Sequence, residues 1–221
     1  MKKYILSIVI ILLLGVNAKS QNFHVQEDFN GSALPTGWTN TTVSGTTPWS
    51  FGTDGSGSQA GVNNIDGTAM AFFDDDNLGS GAVDNTADLI TPSFDNSTAA
   101  NTNLRFDYNF REYAGPMDSL LVDVFDGTNW VNVFFRSTND CGNWLGACSG
   151  NFPTANIDIT AYKNANCQVR FRYHDGDDWC WYAGVDNVVI SSPFPNDIGV
   201  SKILDPTSSC GLGTTETVNV R

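Results

Sequence analysis

The segment Leu104-Arg105-Phe106-Asp107-Tyr108-Asn109-Phe110 alternates without a break. Leu104, Phe106, Tyr108 and Phe110 share one side, and Arg105, Asp107 and Asn109 the other. A period of two belongs to a half-buried strand and fits no helix. The pattern recurs. "SLLVDVF" aligns Leu120, Val122 and Val124, and "WVNVFF" aligns Val131, Val133 and Phe135. "CQVRFRY" aligns Cys167, Val169, Phe171 and Tyr173, with Gln168, Arg170 and Arg172 opposite. "DGTN", Asp126 to Asn129, joins two of these runs as a tight hairpin turn. "NIDIT" and "VDNVVI" supply further strands. No long segment has a 3.6-residue period, and Gly, Asn, Thr, Ser and Asp punctuate the chain. The expectation is all-β: a two-sheet antiparallel jelly-roll sandwich.

The N-terminus reads as an export signal over residues 1–20. Met1-Lys2-Lys3 is basic, Tyr4 to Val16 is nearly all apolar, and Ala18 and Ser20 provide a small-residue cleavage site after Ser20. The apolar run is shorter than the ~20 residues that a membrane-spanning helix needs. The expected location is therefore secreted or cell-surface, with no membrane insertion after cleavage. Losing residues 1–20 removes three lysines and no acid. That leaves 8 basic against 24 acidic residues, a net charge of −16. Such a balance speaks against nucleic acid and anionic membrane surfaces as partners. Residues 21–192 are long enough to bury a full two-sheet core. Residues 193–197, with Pro193 and Pro195, read as a linker, and 198–221 as the beginning of a second, truncated β module.

Acidic residues gather in "VQEDFNG", in "AFFDDDN" and in "HDGDDWCWYAGVDNVVI". By alternation, Glu27 shares a face with Val25 and Phe29, and Asp186 with Val188 and Ile190. Both carboxylates fall on the apolar side of a strand end, where an uncompensated charge is costly. In a jelly roll the first and last strands lie side by side, which would join Glu27 to Asp186. An all-oxygen site of this kind favours Ca²⁺. Asp74, Asp75 or Asp76 could complete it, and Asp75 and Asp76 are named with Glu27 and Asp186 as the expected metal ligands. "DGSGS", from Asp54, imitates an adhesion-type metal motif but lacks its α/β setting and reads as a Gly/Ser loop.

Trp144, Trp179, Trp181 and Tyr182 stand beside acids and could stack on sugar rings. Cysteine spacing pairs Cys141 with Cys148 and Cys167 with Cys180 as disulfides, leaving Cys210 alone. Spacing does not fix the connectivity. No G-x-S-x-G, H-E-x-x-H or phosphate loop occurs, and no acid pair stands out, so no catalytic residue is expected.

Several segments resemble one family in the same order. "EDFNGSALPTGW", with Glu27, Phe29, Pro35, Gly37 and Trp38, is similar to the opening of the MAM-like jelly rolls called cleaved-adhesin domains. "FFDDDNLGSGAVDNTADLITPSFD", with Leu89, Thr91 and Pro92, and then "LRFDYNFREY", "DSLLVDVFDGTNW" and "AGVDNVVI" resemble the stretches that follow. The tail resembles the start of an Ig-like module found in type IX secretion cargo. The resemblance implies a non-catalytic adhesion or ligand-binding module of a multidomain surface protein, with structural Ca²⁺ on Glu27 and Asp186. The partner would be a host or matrix protein or a glycan. The alternative is a carbohydrate-binding accessory attached to a secreted hydrolase or protease. The cysteine pairs depart from many such domains.

Overall fold

The computed structural model describes residues 21–53, 65–81, 84–112, 118–138, 152–193, 203–205 and 219–220. The strands are β1 (Gln21–Glu27), β2 (Thr39–Ser44), β3 (Ser50–Gly52), β4 (Met70–Asp74), β5 (Thr86–Ile90), β6 (Asn103–Arg111), β7 (Ser119–Phe125), β8 (Trp130–Arg136), β9 (Thr154–Asp158), β10 (Gln168–His174), β11 (Tyr182–Pro193), β12 (Ile203–Asp205) and β13 (Asn219–Val220). The all-β expectation holds. A six-stranded sheet runs β3-β4-β11-β6-β9, with β1 added on β11. A five-stranded sheet runs β2-β5-β10-β7-β8. Every pairing is antiparallel. The short strands β12 and β13 pair only with each other.

The core fills the space between the sheets with the residues that alternation singled out. β6 gives Leu104, Phe106, Tyr108 and Phe110; β7 gives Leu120, Val122 and Val124; β10 gives Val169, Phe171 and Tyr173. Ring contacts stitch the layers. Phe106 lies edge-on to Phe171 at 5.2 Å, and Phe73 stacks on Tyr173 at 4.5 Å. The "PTGW" motif has a clear physical role. Gly37 takes a left-handed φ of +83°, and the Trp38 N–H donates to the Pro35 carbonyl at 3.1 Å. The turn seats Trp38 against Phe29 and Phe171. A Cβ at position 37 would come within 3.2 Å of Pro92, so the "PTGW" and "TP" segments touch.

The 126–129 hairpin is present as expected. Asp126 closes it by accepting the N–H groups of Thr128 and Asn129, with Gly127 at φ +98°. Its second strand departs from the alternation. Val122 pairs with Phe134 while Asp123 pairs with Asn132, leaving Val133 as an extra residue. This β-bulge shifts the parity, so Phe134 packs on the core and Phe135 is 58% exposed.

On its outer side the five-stranded sheet carries an ion-pair ladder. Arg172 holds Asp88 through two bonds, of 2.6 and 2.8 Å, and Arg170 holds Asp123 at 2.6 Å. Arg170 also lies 4.6 Å over the Trp130 ring. The outer side of the six-stranded sheet carries a second apolar cluster of Ile65, Met70, Phe72, Trp181 and Tyr182.

Candidate metal centre

The strands at the ends of the domain do meet. β1 lies against β11, with Glu27 opposite Val188, two residues from Asp186. The route to this geometry differs from the alternation argument. β11 pairs Val185 with Tyr108 and Asp186 with Asp107, then resumes with Val189 opposite Arg105. Asn187 and Val188 together face Phe106, a β-bulge with Asn187 at φ +51°. Ala183 and Val185 before the bulge and Val188 and Ile190 after it all face the core. Asp186 therefore points to the outer side of the sheet, beside Asp107, and not to the core side with Val188. The bulge lets an acid sit inside an otherwise apolar strand.

At this point acids converge on one carboxyl. Asp186 is fully buried, its Oδ1 accepts the Asn187 N–H at 2.7 Å, and its Oδ2 has no hydrogen-bond partner. Burial pushes its pKa up to about 8, and the charges of Asp66, Asp107 and Asp28 push the same way. Asn187 ties the neighbours together by donating to Asp66 Oδ2 at 3.0 Å and to Asp107 Oδ2 at 3.1 Å. Asp107 also accepts Arg105 at 3.2 Å and the Thr154 hydroxyl. Asp186 Oδ2 is left as the uncompensated oxygen. Beside it opens a polar recess of about 580 Å³, lined by Gln26, Glu27, Asp28, Arg105, Asn187 and Val189. Glu27 accepts the Phe29 N–H at 2.8 Å, which holds the left-handed turn at Phe29. The oxygens of Glu27, Asp28, Asp66, Asp107 and Asp186 form a hard donor set suited to Ca²⁺.

Asp75 and Asp76 do not belong to this set. Both N–H groups bond the Trp181 carbonyl, beyond the far end of the β11–β4 pairing. Five extended residues separate Trp181 from Asp186, about 16 Å at the rise of a strand. In their place stand Asp66, Asp107 and Asp28, which the alternation did not select. Asp107 was visible as an outward acid of β6, but only the register sets it opposite Asp186.

The expected aromatic rim is also corrected. Trp181 and Tyr182 are buried in the outer apolar cluster, where Tyr182 stacks on Phe72 at 5.9 Å. Trp179 is half-buried against Trp181. An aromatic that packs the sheet cannot offer its face to a sugar. Trp144 lies outside the described residues, as do Cys141, Cys148 and Cys210. Cys167 and Cys180 are both free and buried and do not form the expected bridge. They flank the seven extended residues of β10, a span of about 23 Å, whereas a disulfide needs Cα atoms within about 7 Å. Cys180 Sγ instead donates to the Asp175 carbonyl at 3.1 Å.

His174, Asp175 and Asp177 have potential ligand atoms all within 4.8 Å of one another. They form a tight turn: Asp175 accepts the Asp177 N–H, and His174 Nδ1 bonds the Thr86 hydroxyl.

No protein-family model matches the sequence, and no curated protein does. Among solved structures, the K1 cleaved-adhesin domain of Lys-gingipain from Porphyromonas gingivalis W83 matches with a TM-score of 0.58 at 18% identity, over 76% of this chain and 97% of that one. The K3 domain of the same protein matches with a TM-score of 0.58 at 16% identity, over 78% and 99%. The chain has the cleaved-adhesin fold. TmCBM61, solved in complex with β-1,4-galactotriose, matches with a TM-score of 0.51 at 13% identity, over 76% of this chain and 97% of that one. Cleaved-adhesin domains and a carbohydrate-binding module thus share this sandwich.

Proposed function

We propose that this chain is an exported, non-catalytic binding module of a surface protein, whose fold is held by Ca²⁺ at the Asp186 bulge. One observation carries the cation reading: a fully buried carboxylate with an unpartnered oxygen, ringed by Asp28, Asp66 and Asp107. Asp186, Asp107, Asp66, Asp28 and Glu27 would hold the ion. Its charge would compensate acids that cannot all stay ionised side by side. The ion would also tie β1, β6, β11 and the segment carrying Asp66 together. Its role here is structural.

The non-catalytic reading rests on where the perturbed acids lie. Asp75, Asp118, Asp175 and Asp186 are all fully buried, so a glycosidic bond cannot approach them. An acid pair that works on a sugar must flank the bond it cleaves. The location rests on the signal-like residues 1–20. The ligand class rests on likeness of fold to adhesin domains and to a glycan-binding module, and a glycan or glycoprotein partner follows from both. Residues 198–221 fit the start of a following Ig-like module. The test is a glycan and matrix-protein array probed with the chain in Ca²⁺ and in chelator. Retained, saturable binding without turnover supports the reading, and hydrolysis of an arrayed glycan refutes it.

A further inference from the structure

At the opposite end of β11 the core changes character. Four strands or strand ends keep their core-facing parity one step past the last apolar residue, and each places a polar group there. Phe73 gives way to Asp75, Ala87 to Asn85, Leu120 to Asp118 and Tyr173 to Asp175. β4 comes from one sheet, and β5, β7 and β10 from the other. The mouth of the sandwich is thus closed by three carboxyls and an amide. Asp75, Asp118 and Asp175 are fully buried, and Asn85 is nearly so.

The hydrogen bonds of this chamber are incomplete. Asn85 donates to Asp175 Oδ2 from its backbone N–H at 2.7 Å and from its side chain at 3.0 Å, and its side chain reaches Asp75 Oδ1 at 3.5 Å. Asp75 Oδ2 accepts the Cys180 N–H at 2.6 Å. Asp118 Oδ2 accepts the Tyr173 hydroxyl at 3.3 Å, and Asp118 Oδ1, equally buried, has no partner. No lysine or arginine appears among the described groups acting on Asp75 or Asp118, only other acids, N–H groups and the Tyr173 hydroxyl. Burial pushes both carboxyls up to about 7. The Cys180 thiol is driven upward by burial and by the same three acids, so it stays protonated and is no ligand.

From this geometry we infer that the chamber bounded by Asp75, Asn85, Asp118 and Asp175 is a second cation site, separate from the one at Asp186. Its donors are oxygens only, supplied by both sheets, which selects a hard divalent cation of the Ca²⁺ class over zinc. Each ligand sits on a different strand or strand end. The ion would act as a clasp between the two sheets at the end where β11 begins. Asp118 is the central ligand, because its Oδ1 has nothing else to bind.

The inference stands apart from the proposed site at Asp186, and one experiment separates them. Ca²⁺ stoichiometry is measured on the full chain by native mass spectrometry and by equilibrium dialysis at pH 8. Tb³⁺ luminescence excited through the protein's aromatic groups is read in parallel. The wild type should take up two Ca²⁺. Asp186→Asn should keep one, together with Tb³⁺ luminescence sensitised by Tyr173 and Trp181. Asp118→Asn should lose that luminescence and keep the other ion. Because Asp186→Asn leaves the chamber intact, it decides the matter even if Asp118→Asn does not fold. A folded Asp186→Asn chain that binds no cation overturns the inference: the chamber then holds protons, and the Asp186 site stands. If Asp118→Asn abolishes all binding and Asp186→Asn none, the chamber stands and the Asp186 site falls.

Discussion

Asp186→Asn should stabilise the metal-free protein, against the usual direction for a buried polar substitution. The Asp186 carboxyl has an ordinary value of 3.8 and is raised to about 8 in the fold. A folded pKa raised above the unfolded one favours the native state below the unfolded value. That advantage is lost as pH rises from about 4 to about 8. Four units at 1.36 kcal/mol each put the cost at pH 8 at about 5 kcal/mol. This is an upper limit, because water entering the recess screens the charge. Asparagine keeps the Oδ1 that accepts the Asn187 N–H and removes the charge. In chelator at pH 8 the variant should melt higher than the wild type, by up to roughly 10–20 °C at 2–4 °C per kcal/mol. At pH 4 the two should coincide. Adding Ca²⁺ at a hundred times its Kd should raise the wild type by about 2.7 kcal/mol more than the variant. Calorimetry at the two pH values, with and without Ca²⁺, supplies all the numbers. A wild type that melts above Asp186→Asn in chelator at pH 8 would refute the reasoning.

Other consequences are open to direct measurement. The chelated wild type should lose stability between pH 5 and pH 8, since Asp75, Asp118 and Asp186 are all raised above their ordinary value; a flat melting profile contradicts this. Cys167 and Cys180 should resist iodoacetamide in the native state and react on unfolding, because burial raises both thiols, Cys167 to about 11; peptide mapping that links the two would disprove the assignment. Trp181→Ala should cost about 3–5 kcal/mol, as for any large aromatic removed from a packed cluster, and should leave the affinity for a bound glycan unchanged. Gly45→Ala should destabilise the fold by about 1–3 kcal/mol, since position 45 lies at φ +75° and its Cβ would come within 3.2 Å of the Asn85 Cα; unfolding in urea measures it.

Most of the scaffold is legible as alternation, because β6, β7 and β10 are regular and one side of each is buried. Two bulges mark where that reading fails. At Val133 and at Asn187 an extra residue reverses the parity, and no pattern in "WVNVFF" or "VDNVVI" announces it. Asp186 was found because it ends an apolar strand, yet it faces the other way. Asp75 was noticed as part of an acidic run, but its partners Asp118 and Asp175 come from strands distant in sequence. Only the pairing of β10 with β5 and β7 brings them together. The aromatic rim misled for a related reason. Tryptophans beside acids look exposed in sequence, and the outer apolar cluster that buries them is assembled from four separate segments.

The placement of β11 also governs when the domain can exist at all. The last strand of the sandwich is interior to its sheet: β6 runs along one edge, while β4 and then β1 share the other. Until residue 193 is available, β1 has no partner and β4 and β6 stand apart with open edges. Strand pairing that joins the first and last segments requires closing a long loop before it yields any stability, so it comes late and slowly. A chain released from its N-terminus therefore stays unfolded until nearly all of it has emerged. That delay keeps it threadable during passage through a translocation pore, and completion of the fold then follows the arrival of one strand.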